Sequence, residues 1–176
     1  MPNISFRPLQ KADFDQLAAW IGQPHVQKWW HEPATVEHVA EEYGACTDGD
    51  PRTRVYIVEL DSRDIGMIQC YRTDDWPDDT AEWDAPGFVG IDYLIGEPEL
   101  TGHGLGSAMI ARFITDIVRP TYADAIGVIA DPETTNHASV RALEKAGFTA
   151  GKVSPEGEYG TPEQLMILRF GSPGAS

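Results

Sequence analysis

Two cysteines, Cys46 and Cys70, are all that this chain of 176 residues carries. They stand far apart and without metal-like spacing, so no disulfide framework is expected, and the pattern suits a reduced, cytoplasmic setting. Both read as buried or half-buried thiols, and Cys70, within a strand next to Tyr71, as core rather than as a nucleophile. Basic residues are also scarce: 13 Lys and Arg stand against 28 Asp and Glu, a net charge of −15. So few cations cannot neutralise a phosphate backbone, which excludes nucleic acid as a partner. No apolar run is long enough to span a bilayer, so no membrane association is expected. Residues Met1–Arg7 lack the basic-then-apolar pattern of a secretory signal. His25 and His31 have no third ligand at a recognisable spacing, so no metal is expected. Internal repeats, low-complexity tracts and linkers are missing too. One domain over residues 1–170 and a frayed tail at 171–176 follow as expectations.

The charge itself has two readings. One is a solvated acidic surface. The other is a field that steers a cationic small molecule into a cleft.

The hydrophobic pattern alternates between strand and helix periods. Ile4–Leu9 reads as a strand and Asp13–Ile21 as a helix stopped by Gly22. The segment 23–31 reads as turn-rich. It contains Trp29 and Trp30, which serve either as core anchors or as an aromatic wall for a ligand. Thr35–Tyr43 reads as a helix capped by Thr35. Arg54–Leu60 and Ile65–Tyr71 form an antiparallel hairpin about the turn 61–64. Residues 73–87 show no period and read as a long loop, which in a compact domain is usually functional or disordered. The loop holds Asp74, Asp75, Asp78, Asp79, Glu82 and Asp84 beside Trp76 and Trp83. Acidic groups next to aromatic faces suit a polycation or an aminosugar; a solvated loop is the other reading. Further strands are expected at Phe88–Ile95, Ala125–Ala130, Phe148–Val153 and Glu163–Phe170, with helices at Leu105–Val118 and His137–Ala146. The order mixes an antiparallel first half with a β-α-β-α second half, an α+β fold around a mixed, mostly antiparallel sheet flanked by helices.

The most informative stretch runs from Gly90 to Gly106. Asp92 is a carboxylate in an otherwise apolar strand. Gly102, Gly104 and Gly106 then open a helix. Glycines at that point leave backbone N–H groups facing outward at the positive end of the helix dipole, a natural anion site. Asp92 is either a base or cation holder for an acceptor, or a structural carboxylate.

Thr101-Gly102-His103-Gly104-Leu105-Gly106 resembles the acyl-CoA pyrophosphate loop of the GNAT N-acetyltransferase superfamily. Asp131-Pro132 followed by Asn136 and a helix ending in Glu144-Lys145-Ala146-Gly147-Phe148 resembles the later signature of the same superfamily. A narrower resemblance, to the aminoglycoside 6′-N-acetyltransferases, spans nearly the whole chain. It rests on His25–Trp30, Ile65–Tyr71, the acidic loop, Gly90-Ile91-Asp92, the glycine loop and Asp131-Pro132. The resemblance implies acetyl-CoA as co-substrate, held by Thr101, Gly102, His103, Gly104, Leu105, Gly106, Ser107, Asn136 and Ser139. It implies an oxyanion met by a backbone N–H near Leu94 or Ile95. Asp92 is then the catalytic carboxylate at the acceptor amine. Trp30, Tyr71, Trp76, Asp78, Asp79, Glu82, Trp83, Asp92 and Asp131 are expected to bind a cationic amine, an aminoglycoside acetylated at its 6′-amino group, in a monomer or homodimer serving antibiotic resistance. The same chemistry on a siderophore precursor, a lysine-type amine or a polyamine is the alternative, and a non-catalytic acyl-CoA- or antibiotic-binding module a third. The sequence departs from the family at two points. Thr101 replaces the Arg or Gln that often opens the loop. Leu143 stands where many members carry a tyrosine proposed to protonate the leaving thiolate; Ser139 or a water is the candidate replacement.

Overall fold

The computed structural model describes residues 2–171, so the expected tail at 171–176 lies, but for Gly171, outside the described residues. Its strands form a seven-stranded sheet in the order β1-β2-β3-β4-β5-β7-β6. The strands are β1 (Ile4–Pro8), β2 (Thr53–Leu60), β3 (Arg63–Arg72), β4 (Phe88–Ile95), β5 (Gly127–Ala130), β6 (Thr149–Ser154) and β7 (Glu163–Arg169). Strands β4 and β5 run parallel, whereas β1/β2, β5/β7 and β7/β6 are antiparallel. This is the expected α+β arrangement. The chain divides into two compact units, one of residues up to Cys70 with Asp92–Leu105, the other of Tyr71–Ile91 with the residues from Gly106 onward.

In the first unit, β2 and β3 are joined by Asp61 and Ser62, at φ 49° and 68°. Two consecutive left-handed residues make the tight turn whose twist matches that of the flanking strands. The turn is thus two residues long, where four were expected. Helix α1 (Phe14–Ile21) buries Phe14, Leu17, Ala18, Trp20 and Ile21, the residues its period predicts. They pack with Val39, Ile57 and Met67 into one apolar core. Helix α3 (Val36–Thr47) starts at its expected cap, where the Thr35 hydroxyl accepts from the His38 N–H at 3.2 Å. It runs four residues past the expected end at Tyr43.

The turn-rich expectation for 23–31 is corrected. Residues Pro24–Trp30 form helix α2, with Pro24 in its first turn. Proline there fixes a helical φ and removes an N–H that would have no partner anyway. The helix stops at His31, which turns left-handed at φ 56°.

In the second unit, helix α4 (Leu105–Phe113) passes into a wider π-helical turn at Ile114–Val118 and a last turn, α5 (Arg119–Thr121). Pro120 is the cause. It has no N–H for the Asp116 carbonyl and its ring crowds that group, so the helix widens just before it. Helix α6 (His137–Lys145) ends at Gly147, which takes a left-handed φ of 101°. Phe113, Met109, Ile110, Val128, Leu143 and Met166 are fully buried.

Gly96 sets a close packing limit in the first unit. A Cβ there would lie 2.1 Å from the Trp20 indole, whose Nε1–H donates to Glu97 at 3.2 Å. Gly96→Ala must therefore displace a buried indole. Urea denaturation is expected to show a loss of about 1–3 kcal/mol; unchanged stability would mean that Trp20 is not seated against this strand.

Candidate active site

The buried face of strand β4 is interrupted. Phe88, Val89, Gly90, Ile91 and Leu94 are buried, whereas Asp92 is half-buried. The neighbouring strand gives Asp92 a donor: Gln69 Nε2 donates to Asp92 Oδ2 at 2.9 Å. An amide leaves the carboxylate its full charge while holding its orientation. Gln69 was not singled out in the sequence, since periodicity does not give the register that brings it to Asp92. Strand β4 pairs with β5 only at Phe88, Val89 and Gly90, so Ile91–Ile95 lies past the last pair. The Ile95 carbonyl meets the His25 ring at 2.8 Å.

The glycine loop takes left-handed turns with open space around them. Gly102 and Gly104 take φ of 79° and 78°, and no atom lies within 4 Å of where a Cβ would stand. Thr101, Gly102, His103 and Gly104 are exposed; Leu105, Gly106 and Ser107 are half-buried. Helix α4 begins at Leu105, and the first N–H groups of any helix lack an intrahelical acceptor. In the second unit, a Cβ at Gly106 would stand 3.5 Å from the Ala142 methyl, an ordinary van der Waals contact. These residues fit a pyrophosphate, which asks for outward amides and no side chain in the way. Asn136 is a helix cap: its Oδ1 accepts from the Ser139 N–H at 3.2 Å. Leu143 is fully buried, so this position presents core and no hydroxyl.

Of the expected acceptor residues in the first unit, Trp30 is half-buried and packs on the core that holds Tyr43 and Val26.

In the second unit the Tyr71 ring lies over Gly90, where a Cβ would come within 2.4 Å of Cζ. The acidic loop is braced from inside. Buried Thr73 donates to the carbonyls of Ala85 at 2.6 Å and Phe88 at 3.2 Å, and buried Thr80 donates to the carbonyls of Thr73 and Trp76. Two short 3₁₀ turns, Thr73–Asp75 and Ala81–Trp83, give it local order that the lack of period hid. Asp78 and Asp79 are exposed and Trp76 is half-buried. Trp83 is not an open aromatic face: it is buried with Phe88, Ile129 and Leu165. Its indole N–H donates to Asp131 Oδ2 at 2.9 Å. Glu82 accepts a short hydrogen bond from the Ser154 hydroxyl.

Beside these stands Glu163, buried at the start of β7 and not foreseen from the sequence. Its Oε1 accepts from the Glu158 N–H at 3.2 Å. Burial, with the nearby charges of Asp131 and Glu82, raises its pKa from 4.5 to about 7. Asp131 is also raised, first by burial and then by Glu82, against the Trp83 hydrogen bond. A strand end that alternates Glu163, buried, with Gln164, half-buried, gives no sequence signal that three carboxyls converge.

The family model of the acetyltransferase (GNAT) domain matches residues 10–154. Aminoglycoside N(6′)-acetyltransferase type 1 of Klebsiella pneumoniae is 26% identical over 153 residues, which cover 83% of this chain and 74% of that protein. The enzyme of the same name from Serratia marcescens matches equally. Among solved structures, aminoglycoside acetyltransferase AAC(6′)-Ib in complex with coenzyme A superposes with a TM-score of 0.84 at 25% identity, over 95% of each chain. The same enzyme with coenzyme A and kanamycin gives 0.83 at 26%, again over 95% of each.

The Glu163 shift has a definite sign. A carboxyl that binds its proton more tightly when folded stabilises the fold below its unfolded pKa and loses that contribution as pH rises through the folded value. Stability is expected to fall between pH 4.5 and about 7, and Glu163→Gln to flatten that slope in urea titrations. An unchanged slope in the variant would place the titrating group elsewhere.

Proposed function

We propose that this chain, which belongs to the GNAT acetyltransferase family, transfers the acetyl group of acetyl-CoA to the 6′-amino group of an aminoglycoside. The observation that carries the reading is the glycine turn at Gly102 and Gly104, open at the head of α4 and ten residues beyond a carboxylate held in β4. Its exposed glycines, with no side chain in the way, suit the CoA pyrophosphate, and Thr101 in place of a longer cation costs little because backbone groups do the binding. The relatives named for aminoglycoside acetylation support the choice of acceptor, and so does the net charge of −15, which favours approach of a polycation.

The chemistry asks three things of the protein. The ammonium of the acceptor must lose a proton and be aligned with the thioester carbonyl. Asp92, fixed by Gln69, holds the cation in line and receives the proton directly or through a water. The developing oxyanion needs a fixed donor, and the amides of Leu94 and Ile95, past the last β5 pair, are the candidates. The thiol must leave. With Leu143 buried there is no tyrosine acid at that point, and a thiol of pKa roughly 8.5 departs as the anion and is protonated by water. Trp30, Tyr71, Trp76, Asp78, Asp79 and Asp131 are the acceptor-binding residues in this reading. Glu82 and Trp83 serve it from behind, by fixing the acidic loop and Asp131. The setting is cytoplasmic and the role antibiotic resistance.

Thiol release from acetyl-CoA, measured with kanamycin, ribostamycin, polyamines and lysine derivatives, tests the proposal. Turnover with the aminoglycosides and 6′-acetylated product by NMR are expected. Turnover confined to the other amines would change the acceptor, and tight binding without any turnover would leave only a binding module. Asp92→Asn keeps an oxygen for Gln69 but no base, and is expected to lower kcat by about 10²-fold or more. A near-normal rate would remove Asp92 from proton transfer.

A further inference from the structure

The corner between α1 and α2 grips the last residues of β4, and the proposed chemistry leaves that grip unused. Three contacts fall on consecutive residues. His25, the second residue of α2, donates from its ring Nε2 to the Ile95 carbonyl at 2.8 Å. The Trp20 indole lies against Gly96, where a Cβ would stand 2.1 Å from the ring. The same indole donates to Glu97 at 3.2 Å. The corner itself is tied. The Gln23 N–H donates to the Trp20 carbonyl at 3.0 Å, and the Gln23 carbonyl accepts from Val26 and Gln27. His25 is thus carried on a helix whose start is fastened to α1.

The direction of the Ile95 carbonyl follows from its own peptide group. The Gly96 N–H donates to the Ile65 carbonyl of β3 at 2.8 Å. No cis peptide occurs among the described residues, and in a planar trans peptide the C=O and the N–H point opposite ways. The Ile95 carbonyl therefore leaves β4 on the edge turned away from β3. A carbonyl can only accept, so the nitrogen that meets it carries a proton: the neutral ring is the Nε2–H tautomer, with Nδ1 bare. The Ile95–Gly96 peptide is held at both ends, by a strand on one side and by an imidazole on the other. Without the imidazole that peptide could rock about its remaining bond. Its bare oxygen would also turn a negative pole toward any oxyanion forming beside the Ile95 amide.

We infer that His25 is a positioning residue for acetyl transfer: by capping the Ile95 carbonyl it fixes the last peptide of β4, and with it the direction of the Ile95 N–H toward the thioester oxygen. The inference rests on the proposed role of the β4 backbone amides as oxyanion donors. Trp20 already seats the strand at Gly96 by packing, so what His25 adds is a directional bond to one oxygen. An oxyanion exists only in the transition state, so the effect falls on kcat and not on the binding of either substrate.

The test uses two variants of the full chain. His25→Leu fills the space of the ring but has no donor. It is expected to lower kcat with acetyl-CoA and kanamycin about tenfold, the size of one ordinary hydrogen bond, with KM for both substrates unchanged. His25→Gln brings an amide N–H to a similar reach and is expected to restore most of the rate. Equal kcat in the two variants, or raised KM values with kcat unchanged, would make the residue merely structural and overturn the inference. A second readout does not depend on turnover. The Gly96 amide shares its peptide with the capped carbonyl, and its ¹⁵N resonance is expected to move in His25→Leu and to return in His25→Gln. The ring nitrogens of His25 are expected to show the proton of the neutral form on Nε2; a neutral ring protonated on Nδ1 would remove the bond. If the wild-type chain acetylates no amine, the proposed function and the inference fall together. If it turns over while the Gly96 resonance stays in place in His25→Leu, the inference alone fails.

Discussion

A carboxylate set in the middle of an apolar strand has to be given a donor, and the bond from Gln69 to Asp92 is the constraint around which the first unit is arranged. Without a partner, a half-buried charge of this kind costs a kcal/mol or more of desolvation. A lysine or arginine would pay that cost but would also cancel the negative charge that an ammonium needs. The neutral amide satisfies one oxygen and leaves the charge in place. Gly66 on β3 is where a Cβ would come within 2.2 Å of the Leu94 carbonyl, so the glycine permits a close approach of the backbone there.

The second unit meets the same problem by different means. Glu82, Asp131 and Glu163 are surrounded by donors from a hydroxyl, an indole and a backbone amide, together with one another's charges. Burial raises the pKa of Asp131 and of Glu163, whereas Asp92 has a dedicated donor. Trp83, which reads as a binding surface in the sequence, is instead the strut on which Asp131 rests.

Much of this was legible in the residues, and the reasons are local. Gly102, Gly104 and the apolar period from Leu105 announce a loop and a helix because the conformations they need are unusual or strictly spaced. Thr35 announces a cap, and Gly147 a stop, for the same reason. Helix α2 was hidden because Pro24 and two tryptophans look like turn and loop chemistry, although proline at a first helical turn favours the helix. The braces of the acidic loop were hidden because Thr73 and Thr80 bond to carbonyls four to fifteen residues away, which no period records. Gln69 and Glu163 were hidden for one shared reason. Each matters through a partner far off in the chain or on another element, and a lone polar residue carries no mark of the partner it will meet.

Leu143 shows how such substitutions redistribute the work in the proposed reaction. A tyrosine acid helps mainly when the leaving group is poor, and a thiolate is a tolerable one. A hydrophobic side chain at this point of α6 adds to the core beneath the sheet, where Leu143 is fully buried. What cannot be given up is the alignment of the attacking amine, because an ammonium that is not held in line and deprotonated has no lone pair to offer. Selection for rate then falls on the residues that seat the acceptor.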